Sequence, residues 1–307
     1  MHPRCTLLGL LLATASWAGS DGGTRSAPME LRRNMPLVQV QVNGRGPYTF
    51  GIDTGTGTEA LVAPALAEEL GLSTIGTVEA GDPSGKNPRQ LPQVRLAKLS
   101  VAGVDFAEIT AAVYAPSQAE GRCDGILGFP LFREYLLTLD YPGARLAIDK
   151  GAVAPAKDGT TVQFRAPDGV PVVDLAVGSE TVPAVIDSRG AGLALPGSMA
   201  SRLKISGEPV VIGRGRTISG EFEIRGVELA EDVLLGGYRF QRPFVALHPQ
   251  FPVGNVGGIV LRSFVLTFDQ RNKLLRLEAP ERTLTLPRPR PHPAPPAGDG
   301  GVSQPGH

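Results

Sequence analysis

The sequence predicts an all-β protein made of two similar lobes, and three observations lead there. The 307-residue chain carries 39 Gly and 28 Pro, a composition that favours many turns joining short strands over long helices. Short runs rich in β-branched and aromatic residues alternate with turn signals along most of its length. The second half also echoes the first in order and spacing, which makes an internal duplication the economical reading.

Taken in order, the chain opens with His2 and Arg4, an apolar stretch around Leu7, Leu8, Leu10, Leu11 and Leu12, and a small-x-small site at Ser16-Trp17-Ala18. This reads as a signal peptide over residues 1–18 followed by a linker over 19–34, with an uncleaved anchor as the alternative. No other stretch approaches the ~20 apolar residues of a spanning helix. The mature chain is therefore expected to be secreted or periplasmic, with no membrane contact after cleavage. Cys5 lies ahead of the apolar core, so processing leaves Cys123 alone and no internal disulfide is expected.

The first lobe is expected over residues 35–150. Val38, Val40 and Val42 alternate with Gln39 and Gln41, Asn43-Gly44 turns the chain, and Tyr48-Thr49-Phe50-Gly51-Ile52 returns it toward Asp53. That is a half-buried hairpin. Residues 64–70 read as a short helix opened by Pro64 and ended by Gly71. Residues 78–94 have a polar, turn-rich centre at Gly81-Asp82-Pro83-Ser84-Gly85. Strands near 96–101 and 109–113 follow, then Gly125-Ile126-Leu127-Gly128, a short helix around 130–134, and a strand pair joined at Tyr141-Pro142-Gly143. The second lobe, over 158–280, repeats the plan. Residues 286–307 alternate Pro with polar residues and then run into Gly and Ser, which reads as a disordered tail.

The echo is clearest at two acidic elbows. Asp53-Thr54-Gly55-Thr56 ends one strand-like run, and Asp187-Ser188-Arg189-Gly190 ends another, Val182-Pro183-Ala184-Val185-Ile186. Gly257-Gly258-Ile259-Val260-Leu261 then reads as the partner of Asp124-Gly125-Ile126-Leu127-Gly128, and Leu266-Thr267-Phe268-Asp269 as the partner of Leu137-Thr138-Leu139-Asp140. Two such elbows can present two carboxylates to one water.

Rival chemistries lack their residues. Lys+Arg and Asp+Glu both total 30, so no net field recruits nucleic acid or an acidic membrane. Outside the leader and the tail there is one His, His248, and one Cys, Cys123, too few for a His/Cys metal cluster. No Gly-x-Ser-x-Gly elbow is present. Gly55-Thr56-Gly57-Thr58-Glu59-Ala60 fits a loose dinucleotide fingerprint, but no long helix opens at its last position and the second copy lacks the spacing. His248, followed by Pro249, reads as a structural or surface side chain.

An Asp-Thr-Gly-Thr elbow, a later Ile-Leu-Gly segment between apolar strands, and a second copy of both resemble the pepsin and retropepsin superfamily of aspartic proteases, nearest to bacterial secreted proteins with retropepsin-like domains. The resemblance covers residues from about 35 to 280. It implies a bilobal acid-protease architecture, a double retropepsin-like β-barrel, acting on peptide or protein substrates without cofactor or metal. Asp53 and Asp187 would be the catalytic pair. Two close carboxylates cannot both ionise, so they share one proton and supply both acid and base. Thr54 and Ser188 would bond across the lobe junction, Gly55 and Gly190 would let backbone N–H groups approach, and Thr56 would donate to Asp53. Gly81, Asp82, Ser84 and Gly85 would form a substrate-covering flap; a plain surface hairpin is the other reading of those residues, and a loop-capping Asx turn the other reading of Asp53.

Arg189 departs from the pattern, which has Gly there. A guanidinium beside Asp187 is expected to hold that carboxyl ionised, and its side chain to strain the tight turn. Three readings follow: a bilobal endopeptidase using Asp53 and Asp187, a homodimer pairing Asp53 of the first lobe across an axis, and an inactive peptide-binding protein of the same fold.

Overall fold

The computed structural model describes residues 25–32, 35–114 and 123–288. The leader, residues 115–122 and the tail beyond Arg288 lie outside them.

The first lobe runs β1 (Arg25–Pro28), β2 (Glu30–Arg32), β3 (Met35–Val42), β4 (Arg45–Asp53), β5 (Ala60–Val62), α1 (Pro64–Glu69), β6 (Thr74–Ala80), β7 (Arg89–Val101), β8 (Val104–Val113), β9 (Gly125–Gly128), β10 (Leu136–Asp140) and β11 (Arg145–Asp149). The alternation in β3 sets its faces, with Val38, Val40 and Val42 buried and Gln39 and Gln41 exposed. Asn43 and Gly44 both take positive φ, 52° and 77°, the geometry a two-residue hairpin turn asks for. β3 pairs with β4 and again with β7, so the eight strands β2-β3-β4-β9-β5-β8-β7-β6 curl back on themselves.

The second lobe runs β12 (Thr161–Gln163), β13 (Val172–Val177), β14 (Glu180–Ile186), β15 (Leu193–Pro196), β16 (Ile205–Thr217), β17 (Gly220–Leu229), β18 (Val233–Leu235), β19 (Tyr238–Phe240), β20 (Phe244–His248), β21 (Gly254–Val256), α2 (Gly258–Leu261), β22 (Val265–Asp269), β23 (Leu274–Glu278) and β24 (Thr283–Leu284). Its sheet order, β16-β17-β20-β15-β21-β14-β13, repeats β6-β7-β8-β5-β9-β4-β3 strand for strand. The fold is all-β and bilobal, the architecture of the acid proteases.

A third sheet, β1-β11-β10-β22-β23-β12, joins the lobes. At its centre β10 and β22 pair antiparallel with Thr138 opposite Thr267, their Oγ1 atoms 3.0 Å apart. Leu137, Leu139, Leu266 and Phe268 are buried on its other face. Phe129, Phe164 and Phe268 meet there edge to face at 5.2–6.4 Å between centroids, the arrangement ring quadrupoles prefer. One buried apolar cluster spans both lobes.

Four expectations need correction. Residues 25–32 are not linker: β1 caps the shared sheet against β11, and Ala27 and Met29 enter the core. The partner of β9 is Gly254-Asn255-Val256, not the segment after Gly257, because β21 lies parallel to β14 as β9 lies parallel to β4. Gly258–Leu261 is a helical turn matching the 3₁₀ turn Phe129–Phe132, which stands where a helix was expected at 130–134. The second lobe also extends past 280, since β24 pairs with β19, Leu286 packs on the core and Arg288 bonds Glu228.

Candidate active site

Each elbow emerges where a short strand ends beside a parallel neighbour. β4 is flanked by β9, with Asp53 opposite Gly128, and β14 by β21, with Ile186 opposite Val256. A Cβ on Gly128 would collide with the carbonyl of Thr58, and one on Gly257 with Gly190. Glycine at both places lets the elbow loops close tightly over the strand ends.

The loops are locked together by a reciprocal set of buried hydrogen bonds. The Thr54 N–H donates to Ser188 Oγ at 2.9 Å, and the Ser188 N–H donates to Thr54 Oγ1 at 2.9 Å. Each hydroxyl then donates onward across the junction, Thr54 Oγ1 to the Ile186 carbonyl at 2.6 Å and Ser188 Oγ to the Ile52 carbonyl at 2.7 Å. Both side chains are fully buried, so every donor and acceptor in the set has to be satisfied from within.

Asp53 and Asp187 face one another over this lock. The Cβ position of Gly55 lies 2.9 Å from Asp187 Cγ, so no side chain fits between them on that side. Asp53 Oδ1 accepts from the Gly55 N–H at 2.9 Å, and Oδ2 from Thr56 Oγ1 at 2.8 Å. Asp187 Oδ1 accepts from the N–H groups of Arg189 and Gly190 at 2.9 and 2.8 Å. Its Oδ2 takes a 2.7 Å bond from Asn255 Nδ2. Asn255 was missed in the sequence because β21 itself was misplaced. The constant spacing of 129 between Thr138 and Thr267, carried back to Ile126, would have found it.

The Asp187 carboxyl is pushed up to about 6, by burial first and by the neighbouring Asp53 charge second, against the bonds from Asn255 and the two N–H groups. That reverses the expectation attached to Arg189. Its side chain turns to the other carboxylate, with Nη1 3.4 Å from Asp53 Oδ2 and Nε 3.3 Å from Met35 Sδ. The elbow keeps its tight form, as the two N–H bonds to Asp187 Oδ1 show. Tyr141, buried at the end of β10, has its phenol raised well above the ordinary value by burial and by both carboxylates.

Residues 38–131 match the family model for aspartyl proteases. Over that stretch the first lobe is similar to the aspartyl protease family. No curated protein matches the chain. The match ends before the second elbow, so within this aspartyl protease fold it is the shared strand order of the lobes that carries the comparison to Asp187. Proteolysis is the chemistry of the family.

Gly81, Asp82, Ser84 and Gly85 lie at the tip of the β6–β7 hairpin. In the second lobe β16–β17 forms the equivalent hairpin, and the two tips touch. Thr217 Oγ1 and Ser84 Oγ donate to the Asp82 carboxylate, the Asp82 N–H donates to Ser219 Oγ at 3.3 Å, and Asn87 Nδ2 donates to the Ser219 carbonyl at 3.3 Å. Burial pushes the Asp82 carboxyl up, but these hydroxyl bonds outweigh it and hold the group below its ordinary value. Beneath the second hairpin His248 stacks on Phe251 at 3.9 Å and meets Phe222 at 4.7 Å. Burial there lowers it to about 4, which leaves a neutral ring packed as a structural side chain.

Proposed function

We propose that the chain is an exported aspartic endopeptidase that hydrolyses peptide bonds with a water activated between Asp53 and Asp187. The observation that carries this reading is the reciprocal Thr54–Ser188 lock, which sets the two elbows face to face. A carboxylate pair holding one proton meets the needs of the reaction: one member takes a proton from water, and the other gives its own to the carbonyl oxygen. The raised Asp187 carboxyl supplies a proton-bearing member. An extended substrate between the pair and the hairpin tips would pair its backbone with a hairpin edge.

The apolar leader ending in Ser16-Trp17-Ala18 supports export. The homodimer reading loses its motive, since the second lobe already occupies the place of a partner on the central sheet. The inactive binding-protein reading draws on Arg189, whose guanidinium touches Asp53 Oδ2. Assay of unfolded casein across about pH 3 to 7, with and without a pepstatin-type inhibitor, separates the two. Inhibitor-sensitive cleavage supports the peptidase, and silence at every pH hands the fold to peptide binding.

A further inference from the structure

Beyond the Thr54/Ser188 exchange, which keeps the hydroxyl, the two elbows differ at two positions, and those differences compensate one another across the pair. Where the first elbow has Gly55 and Thr56, the second has Arg189 and Gly190. Thr56 supplies the hydroxyl bond to Asp53 Oδ2, and Asn255, reaching in from β21, supplies the matching bond to Asp187 Oδ2. Only the guanidinium has no counterpart. It lies against Asp53 Oδ2 with both side chains largely buried, Arg189 at 15% and Asp53 at 10% exposure, so its field is little screened. A positive charge beside one member of a coupled pair leaves the negative charge on that member and the proton on the other.

We propose that Arg189 is a positioning residue that gives the pair a direction, fixing the charge on Asp53 and the shared proton on Asp187. This deepens the peptidase reading and rests on it. In the first step water loses a proton to Asp53 while its oxygen bonds to the carbonyl carbon, and the carbonyl oxygen takes the proton of Asp187. In the second, protonated Asp53 gives its proton to the amide nitrogen as the C–N bond breaks, and Asp187 recovers a proton from the diol. The pair ends as it began. The other groups around it do not compete for the proton: Asn255 is neutral, the Tyr141 phenol is held protonated by burial and by both carboxylates, and burial likewise pushes the Cys123 thiol up despite the nearby Arg189 charge.

The test uses the full-length protein with 13C-labelled aspartate, following the two carboxyls by NMR while pH is varied, alongside the pH profile of kcat/KM. Wild type is expected to show the proton on Asp187. Arg189→Met keeps the bulk and removes the charge, so the pair's proton should be retained to a pH higher by about 1 unit or more, with the alkaline limb of kcat/KM moving by the same amount. Arg189→Lys should return both toward wild type, and a thermal melt of each variant separates misfolding from charge loss. Titrations identical in wild type and Arg189→Met, or a wild-type proton found on Asp53, would overturn the proposal in an active enzyme. A wild type that cleaves nothing sinks the peptidase reading instead, and the carboxyl titrations still decide whether Arg189 sets the charge.

Discussion

Gly190 is glycine because Asn255 occupies the space its side chain would need: a Cβ there would collide with Asn255 Oδ1 and lie 3.0 Å from Asp187 Oδ2. Gly190, which stands where the first elbow has Thr56, and the amide that replaces the lost hydroxyl are therefore one structural solution. Gly190→Ala should expel the amide and leave Asp187 without its third donor. Since a hydrogen bond to a charged group is worth roughly 1.5–3 kcal/mol, the Asp187 carboxyl should rise further above about 6. The alkaline limb of the pH–rate profile then moves up by about 1 pH unit, and Asn255→Ala should do the same. An Asn255→Ala profile that overlays wild type would show that the amide does not act on the pair.

The lock beneath the carboxylates should be costly to break. Thr54→Val keeps the shape and removes the hydroxyl, stranding the buried Ser188 N–H and the Ile186 carbonyl. An unsatisfied buried group costs about 1–3 kcal/mol, so a loss of about 2–4 kcal/mol in urea unfolding is expected, with a larger fractional loss of activity as the elbows part. Stability within about 0.5 kcal/mol of wild type, the range of ordinary surface substitutions, would mean that water replaces the lost bonds.

Asp53→Asn and Asp187→Asn should each reduce kcat by about 10²–10⁴-fold, the range for a lost acid–base group, and the double variant should lose little more. A fully active Asp187→Asn would restore the homodimer reading. A second readout needs no turnover. Because the folded Asp187 carboxyl is raised to about 6 from 3.8, the folded protein holds a proton there that the unfolded chain releases. Stability should therefore fall as pH rises through that interval. Asp187→Asn has nothing to titrate and should lack the decline, and equal pH slopes in the two proteins would contradict the raised value.

The junction of the two hairpin tips is a polar contact between partly exposed loops, with Asp82 as its hub. Asp82→Ala should leave global stability within about 0.5 kcal/mol and speed amide exchange at residues 81–88 and 216–220. Unchanged exchange in both tips would mean that other contacts hold them.

Much of this arrangement was legible in the sequence where local chemistry dictates geometry. Asn43-Gly44, the Val/Gln alternation of β3 and the two acidic elbows each specify their own conformation. What escaped was set by partners distant in the chain. Gly254-Asn255-Val256 is three residues with weak strand propensity, and only pairing with β14 and β15 makes it a strand. The apolar Gly258–Leu261 run offered a better imitation of Gly125–Gly128 and turned out helical. Arg189 was seen as a departure, but the direction of its long side chain, toward Asp53 and Met35, depends on lobes more than a hundred residues apart meeting.

The central pairing of β10 with β22 also says what each half would be without the other. Separated, either lobe would bare an inner strand carrying a row of unmet N–H and C=O groups beside buried apolar side chains, a template for association. The first lobe expressed alone, ending after Asp149, should therefore not remain a single particle: it should associate through β10 in place of β22, with Thr138 brought against its own copy. Sedimentation of that fragment reads the outcome directly, and a well-behaved single-lobe species would show that the edge can be covered from within. The same edge makes the covalent link between lobes a device for obtaining unequal halves, since two elbows on one chain are free to carry Gly55 in one and Arg189 in the other.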